Sequence, residues 1–238
     1  LSTPWDASTI TYEKSFNISF SSSGLFFKPD GTKMYVLGIT ETVYQYSLST
    51  AFDIETASYD SVSFSLAGQM DSASTIKFKP DGTTFIVLKY NSRTLYQYTL
   101  STPWDLSTAS YSGKSLTINS SYNSYYFDIR PDGTEIYIHT QYSNAYLSKH
   151  TISTPWDLST ASTSSSATVT LNAASIVSVF FKPDGSKMYS AKSNYVYQYS
   201  TRTVIESFSD IATILQSAIR ALTGKTETVA YDTDHFVF

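Results

Sequence analysis

The sequence predicts an all-β fold, a β-propeller of four repeats of about 51 residues with a helix–hairpin module behind them, on three observations. Pro-Asp-Gly recurs at 29–31, 80–82, 131–133 and 183–185, at spacings of 51, 51 and 52. Each copy lies in one frame: LFFKPDGTKMYVL, IKFKPDGTTFIVL, FDIRPDGTEIYIH and VFFKPDGSKMYSA. Composition agrees. Aromatics reach 16% with 20 Tyr, Ser and Thr make up about 30%, and charged residues only 15%, a balance that suits pleated, half-buried surfaces.

Within one period the strands follow in order, A to D from the axis outward. Leu25 and Phe27 alternate into Pro-Asp-Gly, a turn closed by a glycine that can take positive φ. Met34 to Leu37 make the second strand, and Val43 to Tyr46 the third after a gap at Gly38. Then comes LSTPWDAST, LSTAFDIET, LSTPWDLST or ISTPWDLST, starting at residues 1, 48, 100 and 152. Outer strands are expected inside 57–66, 108–118 and 160–171. A fourth, Ile10 to Phe20, stands at the front of the chain, where it can complete the last blade and leave no sheet edge open. The third strand reads VYQYS, LYQYT, a divergent LSKHT, and VYQYS again at 196–200. Four repeats fit a four-bladed ring. The alternative is a sector of a larger propeller, since seven blades would need ~350 residues at this period.

Residues 1–204 thus form the propeller and 205–238 a second module. Ser209 and Asp210 can cap a helix in which Ile211, Ile214, Leu215, Ala218, Ile219 and Leu222 form one stripe. Gly224 is placed to end it, and Thr226 to Tyr231 with His235 to Phe238 read as a hairpin. The 209–223 stripe either packs against its own chain or makes a subunit contact.

The PDG-x-x-Tyr-Val strand pair with its following β-arm resembles YVTN-type β-propeller repeats over about residues 1–200. Longer strings such as FKPDGTKMYVLG and YQYSLSTPWDLSTAS are similar to repeats of predicted tailed-phage and marine environmental proteins. The segment DIATILQSAIRALTGKTETVAYD resembles a helix–hairpin of phage tail and fibre proteins. These resemblances imply a virion component (tail, fibre or capsid decoration) or another extracellular surface protein.

Charge and residue inventory narrow the chemistry. A net charge of −4 argues against a nucleic-acid partner, which calls for a basic patch. The chain has no Cys, so it offers no disulfide framework, thiolate metal ligand or cysteine nucleophile. No apolar run is long enough for a membrane span. None of the nine Gly falls in a phosphate-binding loop or nucleophile elbow. No cofactor and no metal are expected, and the chain reads as a non-enzyme. His139 and His150 are read as packing substitutions, about three residues out of step on paired strands.

Repeated acids have structural explanations. Asp30, Asp81, Asp132 and Asp184 sit in one turn, preceded by Lys28, Lys79, Arg130 and Lys182 as charge partners. Asp6, Asp53, Asp105 and Asp157 follow Trp5, Phe52, Trp104 and Trp156, and read as loop caps beside an anchor packed between blades. The PDG and STPWD turns should project from one face and vary little. The loops of the opposite face vary freely, and on them lie Tyr90, Asn91, Tyr122, Asn123, Tyr125, Tyr142, Asn144 and Asn194. Tyr rings stack on sugar faces and amides bond hydroxyls, so these eight are the expected ligand residues. The expected partner is a receptor, glycan in chemistry, or a neighbouring subunit, with oligomerisation through 209–223. The alternatives are an architectural spacer without ligand and a propeller-type hydrolase.

Overall fold

Pro-Asp-Gly makes the same turn in each described copy. A computed structural model describes residues 12–121, 123–141, 145–171, 178–182, 187–192, 195–200, 230–232 and 235–237. In the first repeat the Gly31 N–H donates to the Lys28 carbonyl at 2.8 Å, and the Asp30 carboxylate accepts from both Thr32 N and Thr32 Oγ1. Gly31 sits at φ +73, and the Phe52 ring lies where its Cβ would be. Trp104 covers Gly82 and Trp156 covers Gly133 in the same way. The turn therefore needs glycine twice over, for the left-handed backbone and for the ring stacked on it.

Each turn joins the first two strands of a blade. Blade 1 is β1 (Ser22–Phe27), β2 (Lys33–Gly38), β3 (Thr42–Leu48) and β4 (Ala57–Ser65), antiparallel in that order. Blade 2 repeats it with β5 (Ala73–Phe78), β6 (Thr84–Lys89), β7 (Thr94–Leu100) and β8 (Ala109–Thr117). Blade 3 is β9 (Asn123–Ile129), β10 (Glu135–Gln141), β11 (Ala145–Thr151) and β12 (Ala167–Thr170). Blade 4 contains β13 (Ser178–Phe181), β14 (Lys187–Lys192) and β15 (Tyr195–Ser200). The molecule is a four-bladed β-propeller, with β1 beside β5, β5 beside β9, and β9 beside β13.

Blades meet through apolar faces. Between blades 1 and 2 lie Tyr35, Leu37, Leu66, Ile76, Phe78, Phe85 and Tyr98, all buried, with Trp104 wedged against them. Ile86, Leu88, Leu116, Ile118, Phe127 and Ile138 fill the next interface. Each buried aliphatic or aromatic side chain contributes roughly 1.5–3 kcal/mol. Polar staples repeat between blades. Gln45 Oε1 accepts the Leu106 N–H at 2.8 Å, and Gln97 Oε1 accepts the Leu158 N–H at 2.9 Å.

The expected outer strand at Ile10 to Phe20 falls within the described residues from 12 on, and residues 12–20 there form no described strand. Their side chains nonetheless alternate, with Lys14, Phe16, Ile18 and Phe20 half-buried and the residues between exposed. Phe16, Ile18 and Phe20 cover Met34, Val36, Tyr46 and Leu48 of blade 1. Lys14 binds Asp53 at 2.8 Å, as Lys114 on β8 binds Asp157 of blade 3 at 2.7 Å. The segment thus meets blade 1 as the outer strand of one blade meets the next.

The chain divides into two compact units between Tyr199 and Ser200, a little before the boundary placed from sequence. In the second unit β16 (Ala230–Asp232) pairs antiparallel with β17 (His235–Val237), the hairpin expected there. The 209–223 helix lies outside the described residues. Among those described, no helix is long and apolar enough to cross a membrane.

Candidate functional site

The two ends of the propeller are built differently. At one end lie the three described Pro-Asp-Gly turns, each with its ion pair: Lys28–Asp30 and Lys79–Asp81 at 2.7 Å, Arg130–Asp132 at 3.0 Å. Lys28 and Thr32 hold the Asp30 carboxyl down to about 2. Asp53, Asp105 and Asp157 cap short 3-10 turns, accepting from Glu55 N, Ser107 N and Ser159 N. Asp184, Trp5 and Asp6 lie outside the described residues. Every described member of this set is thus engaged in its own turn.

At the other end the loops of blades 2 and 3 interlock. Asn91 adopts φ 50, a left-handed conformation that Asn tolerates better than most residues. There its Oδ1 accepts from Asn123 Nδ2 at 2.8 Å and from the Tyr125 hydroxyl at 3.1 Å. The Tyr90 ring meets Tyr125 edge-on, centroids 5.7 Å apart. Arg93 Nη1 donates to the Ser120 carbonyl at 2.6 Å, and Ser124 N donates to Ser92 O. Four of the eight expected ligand residues therefore form one cluster from two blades. Tyr90 is 50% exposed. Tyr122, Tyr142, Asn144 and Asn194 lie outside the described residues.

The histidines stand where the repeat predicts packing residues. His139 opposes Leu147 and His150 opposes Ile136, three residues out of step. His139 is fully buried and neither ring nitrogen has a hydrogen-bond partner. Burial alone pushes it down to about 4. His150 Nδ1 lies 2.9 Å from the Ser162 carbonyl and Nε2 lies 3.1 Å from Ser148 Oγ. Burial lowers its pKa, against the Ser162 bond. A ring that donates through Nδ1 to the Ser162 carbonyl leaves Nε2 as the acceptor toward Ser148 Oγ, whose one proton also has the Ile138 carbonyl within 3.2 Å.

Two features were not visible in the sequence. Lys77 on β5 binds Asp128 on β9 at 2.9 Å, and Asp128 also accepts the Phe181 N–H of β13 at 3.1 Å. Burial pushes the Lys77 ammonium down, but Asp128 and Tyr126 more than offset this and leave it raised. Phe26 and Phe180 stand at this position in the other blades, so the Phe/Lys/Asp/Phe departure was the available signal. The second feature is a cavity of about 330 Å³ beside His150.

No protein-family model matches the chain, and no curated protein matches it significantly. Among solved structures it is similar to a candidate 6-phosphogluconolactonase from Bacteroides uniformis ATCC 8492, with TM-score 0.54 and 12% identity over 77% of this chain and 51% of that one. A second candidate 6-phosphogluconolactonase, from Bacteroides fragilis NCTC 9343, gives TM-score 0.53 and 13% identity over 75% and 50%. A chain of the Mitotic Checkpoint Complex gives 0.51 and 12% over 75% and 50%. The chain spans about half the length of these structures, and at such identities the likeness is one of fold.

Proposed function

We propose that this chain is a non-enzymatic recognition module of a virion or other extracellular surface, whose variable loop end engages a glycan or a neighbouring subunit. One observation carries the reading. The acids of the turn end are engaged in repeated structural roles, whereas Tyr90, Asn91, Asn123 and Tyr125 gather at the opposite end from two different blades. A half-exposed ring beside side-chain amides can stack on a sugar and bond its hydroxyls. One such stack contributes only ~1 kcal/mol beyond area burial. Useful affinity then calls for many copies on one particle, and the 209–223 stripe is the proposed means of oligomerisation.

The test is a glycan array probed with the multimerised chain, followed by Tyr90→Ala and Tyr125→Ala. Binding lost in both variants supports the reading; binding retained in both moves recognition off this end. An array and host-cell panel without signal leaves the architectural spacer ahead. A lactone-hydrolase reading is favoured only by the names of two structural neighbours. Turnover of 6-phosphogluconolactone by the purified chain would establish that reading instead.

A further inference from the structure

Blades 1 and 2 each close their outer half with three tyrosines. Tyr44, Tyr46 and Tyr59 meet in blade 1, with Tyr59 centroids 6.0 Å and 5.5 Å from the other two. Tyr96, Tyr98 and Tyr111 repeat the arrangement in blade 2, at 6.1 Å and 5.7 Å. Counting back from Leu48, Leu100 and Ile152, blade 3 carries Ser148 and His150 at the first two positions. Counting forward from the paired Ala57, Ala109 and Ala161, it carries Thr163 at the third. Three aromatic rings have become two hydroxyls and an imidazole. The cavity of about 330 Å³ is bounded by Ser148 and His150, at the site of this loss.

The lining has a definite chemistry. Thr140, Ser148, His150 and Thr168 of blade 3 and Asn119 from the end of blade 2 supply polar groups, and Tyr146 and Ile118 supply an aromatic ring and an aliphatic side chain. Thr140 and His150 are 4% and 2% exposed, so the polar groups at the base are fixed within the protein. No Lys, Arg, Asp or Glu borders the space among the described residues, and burial lowers the pKa of His150. A phosphate, carboxylate or ammonium would find no countercharge there. Ser148 and His150 are bonded to each other and to the Ile138 and Ser162 carbonyls. With the apolar wall of Tyr146 and Ile118, the space joins an apolar side to hydroxyl oxygens that can still accept. Hydroxyls both donate and accept, so their complement is a ring that carries hydroxyls itself. The volume lies at the small end of ligand pockets, roughly 300–1,000 Å³.

We propose that the gap left by the missing tyrosines of blade 3 is a binding site for a single neutral sugar ring. It shares no residue with the Tyr90–Tyr125 cluster and does not depend on that cluster binding anything. A free hexose and the terminal residue of a glycan present the same chemistry, and methyl glycosides alongside reducing sugars separate the two. Bulky aglycones are tolerated only if the ring enters as a chain end.

The experiment is saturation-transfer NMR on the full chain with neutral hexoses, their methyl α- and β-glycosides, N-acetylhexosamines and p-cresol. His150→Tyr refills the gap with the residue that blades 1 and 2 carry there as Tyr46 and Tyr98, so it should fold. Expected is transfer to at least one neutral sugar, weakened at least about tenfold by His150→Tyr and unchanged by Tyr125→Ala. Thr140→Val keeps the shape, removes one hydroxyl and weakens the same sugar even if the tyrosine variant misfolds. Transfer to p-cresol alone, no transfer to any sugar, or equal binding by parent and both cavity variants would overturn the proposal. Loss of binding in Tyr125→Ala with retention in His150→Tyr would assign the sugar to the loop cluster instead.

Discussion

His139 occupies the position of Leu37 and Leu88 in the first two repeats, and it is as buried as they are. A leucine there satisfies its surroundings, whereas an imidazole brings two nitrogens that find no partner. Tyr126 and Leu147 oppose it on the flanking strands, and the Tyr125 ring lies 6.4 Å away. Burial lowers its pKa from 6.5 to about 4, so the unfolded chain takes up a proton before the folded chain does. The neutral ring's contribution is complete above about pH 6.5 and is lost as pH falls toward 4, by up to about 3 kcal/mol. His150 shifts in the same direction. Carboxylates such as Asp30, held at about 2, titrate in a separate and lower window. Urea midpoints at pH 7.5 and pH 5 should therefore differ for the parent and differ less for His139→Leu, which should also be more stable at both. Equal sensitivity in the two proteins would place the pH dependence elsewhere. The substitution itself was legible, because the repeat supplies its own reference residue at every position. The cavity beside His150 was not. It depends on where three rings from two strands meet across a bulge, and strand alternation does not encode the volume between them.

At the scale of strands, what was legible is what every blade repeats for the same reason. The turn residues, the alternation and the aromatic–Asp caps recur because each blade solves the same local problem, so four copies state it four times. Contacts between blades are the opposite case. Gln45 and Gln97 bond to residues 61 positions ahead, and nothing in their own strand marks that partner. The Lys77–Asp128 pair occurs once, ties β5 to β9, and through Phe181 N reaches β13. Its side chains are 16% and 11% exposed, so removing one partner strands the other charge in a poorly solvated place. Asp128→Ala should cost about 3–5 kcal/mol, and Lys77→Met with Asp128→Leu should recover most of it. Denaturant unfolding of the three proteins checks this. A double variant no better than Asp128→Ala alone would mean that the carboxylate matters through the Phe181 bond, not through its lysine.

For the whole molecule the question is what covers the side of blade 1 turned away from blade 2. Blade 2 packs its strands against the face of blade 1 that carries Tyr35, Leu37, Val43 and Leu66, and blade 3 packs against blade 2 in the same way. The opposite face of blade 1 carries Met34, Val36, Tyr46 and Leu48, which alternate with the residues turned to blade 2. Residues 12–20 supply that cover. Phe16 meets Tyr46 edge-on at 5.8 Å, Phe20 lies 4.3 Å from Tyr44, and Lys14 reproduces the lysine–aspartate latch of the next interface but one. Three half-buried apolar side chains at about 1 kcal/mol or more each, with the uncovering of four buried ones, come to several kcal/mol. Stability on this scale is a large share of what a domain possesses. Deleting residues 1–20 should therefore lower the unfolding midpoint sharply and raise binding of a hydrophobic dye, since the uncovered face is apolar. Phe16→Ala should give a partial loss of the same kind without shortening the chain, whereas Asn17→Ala, on the exposed side of the segment, should leave the midpoint in place. A truncated chain that unfolds like the parent would mean that blade 1 needs no cover, and the alternation of residues 12–20 would then carry no structural weight.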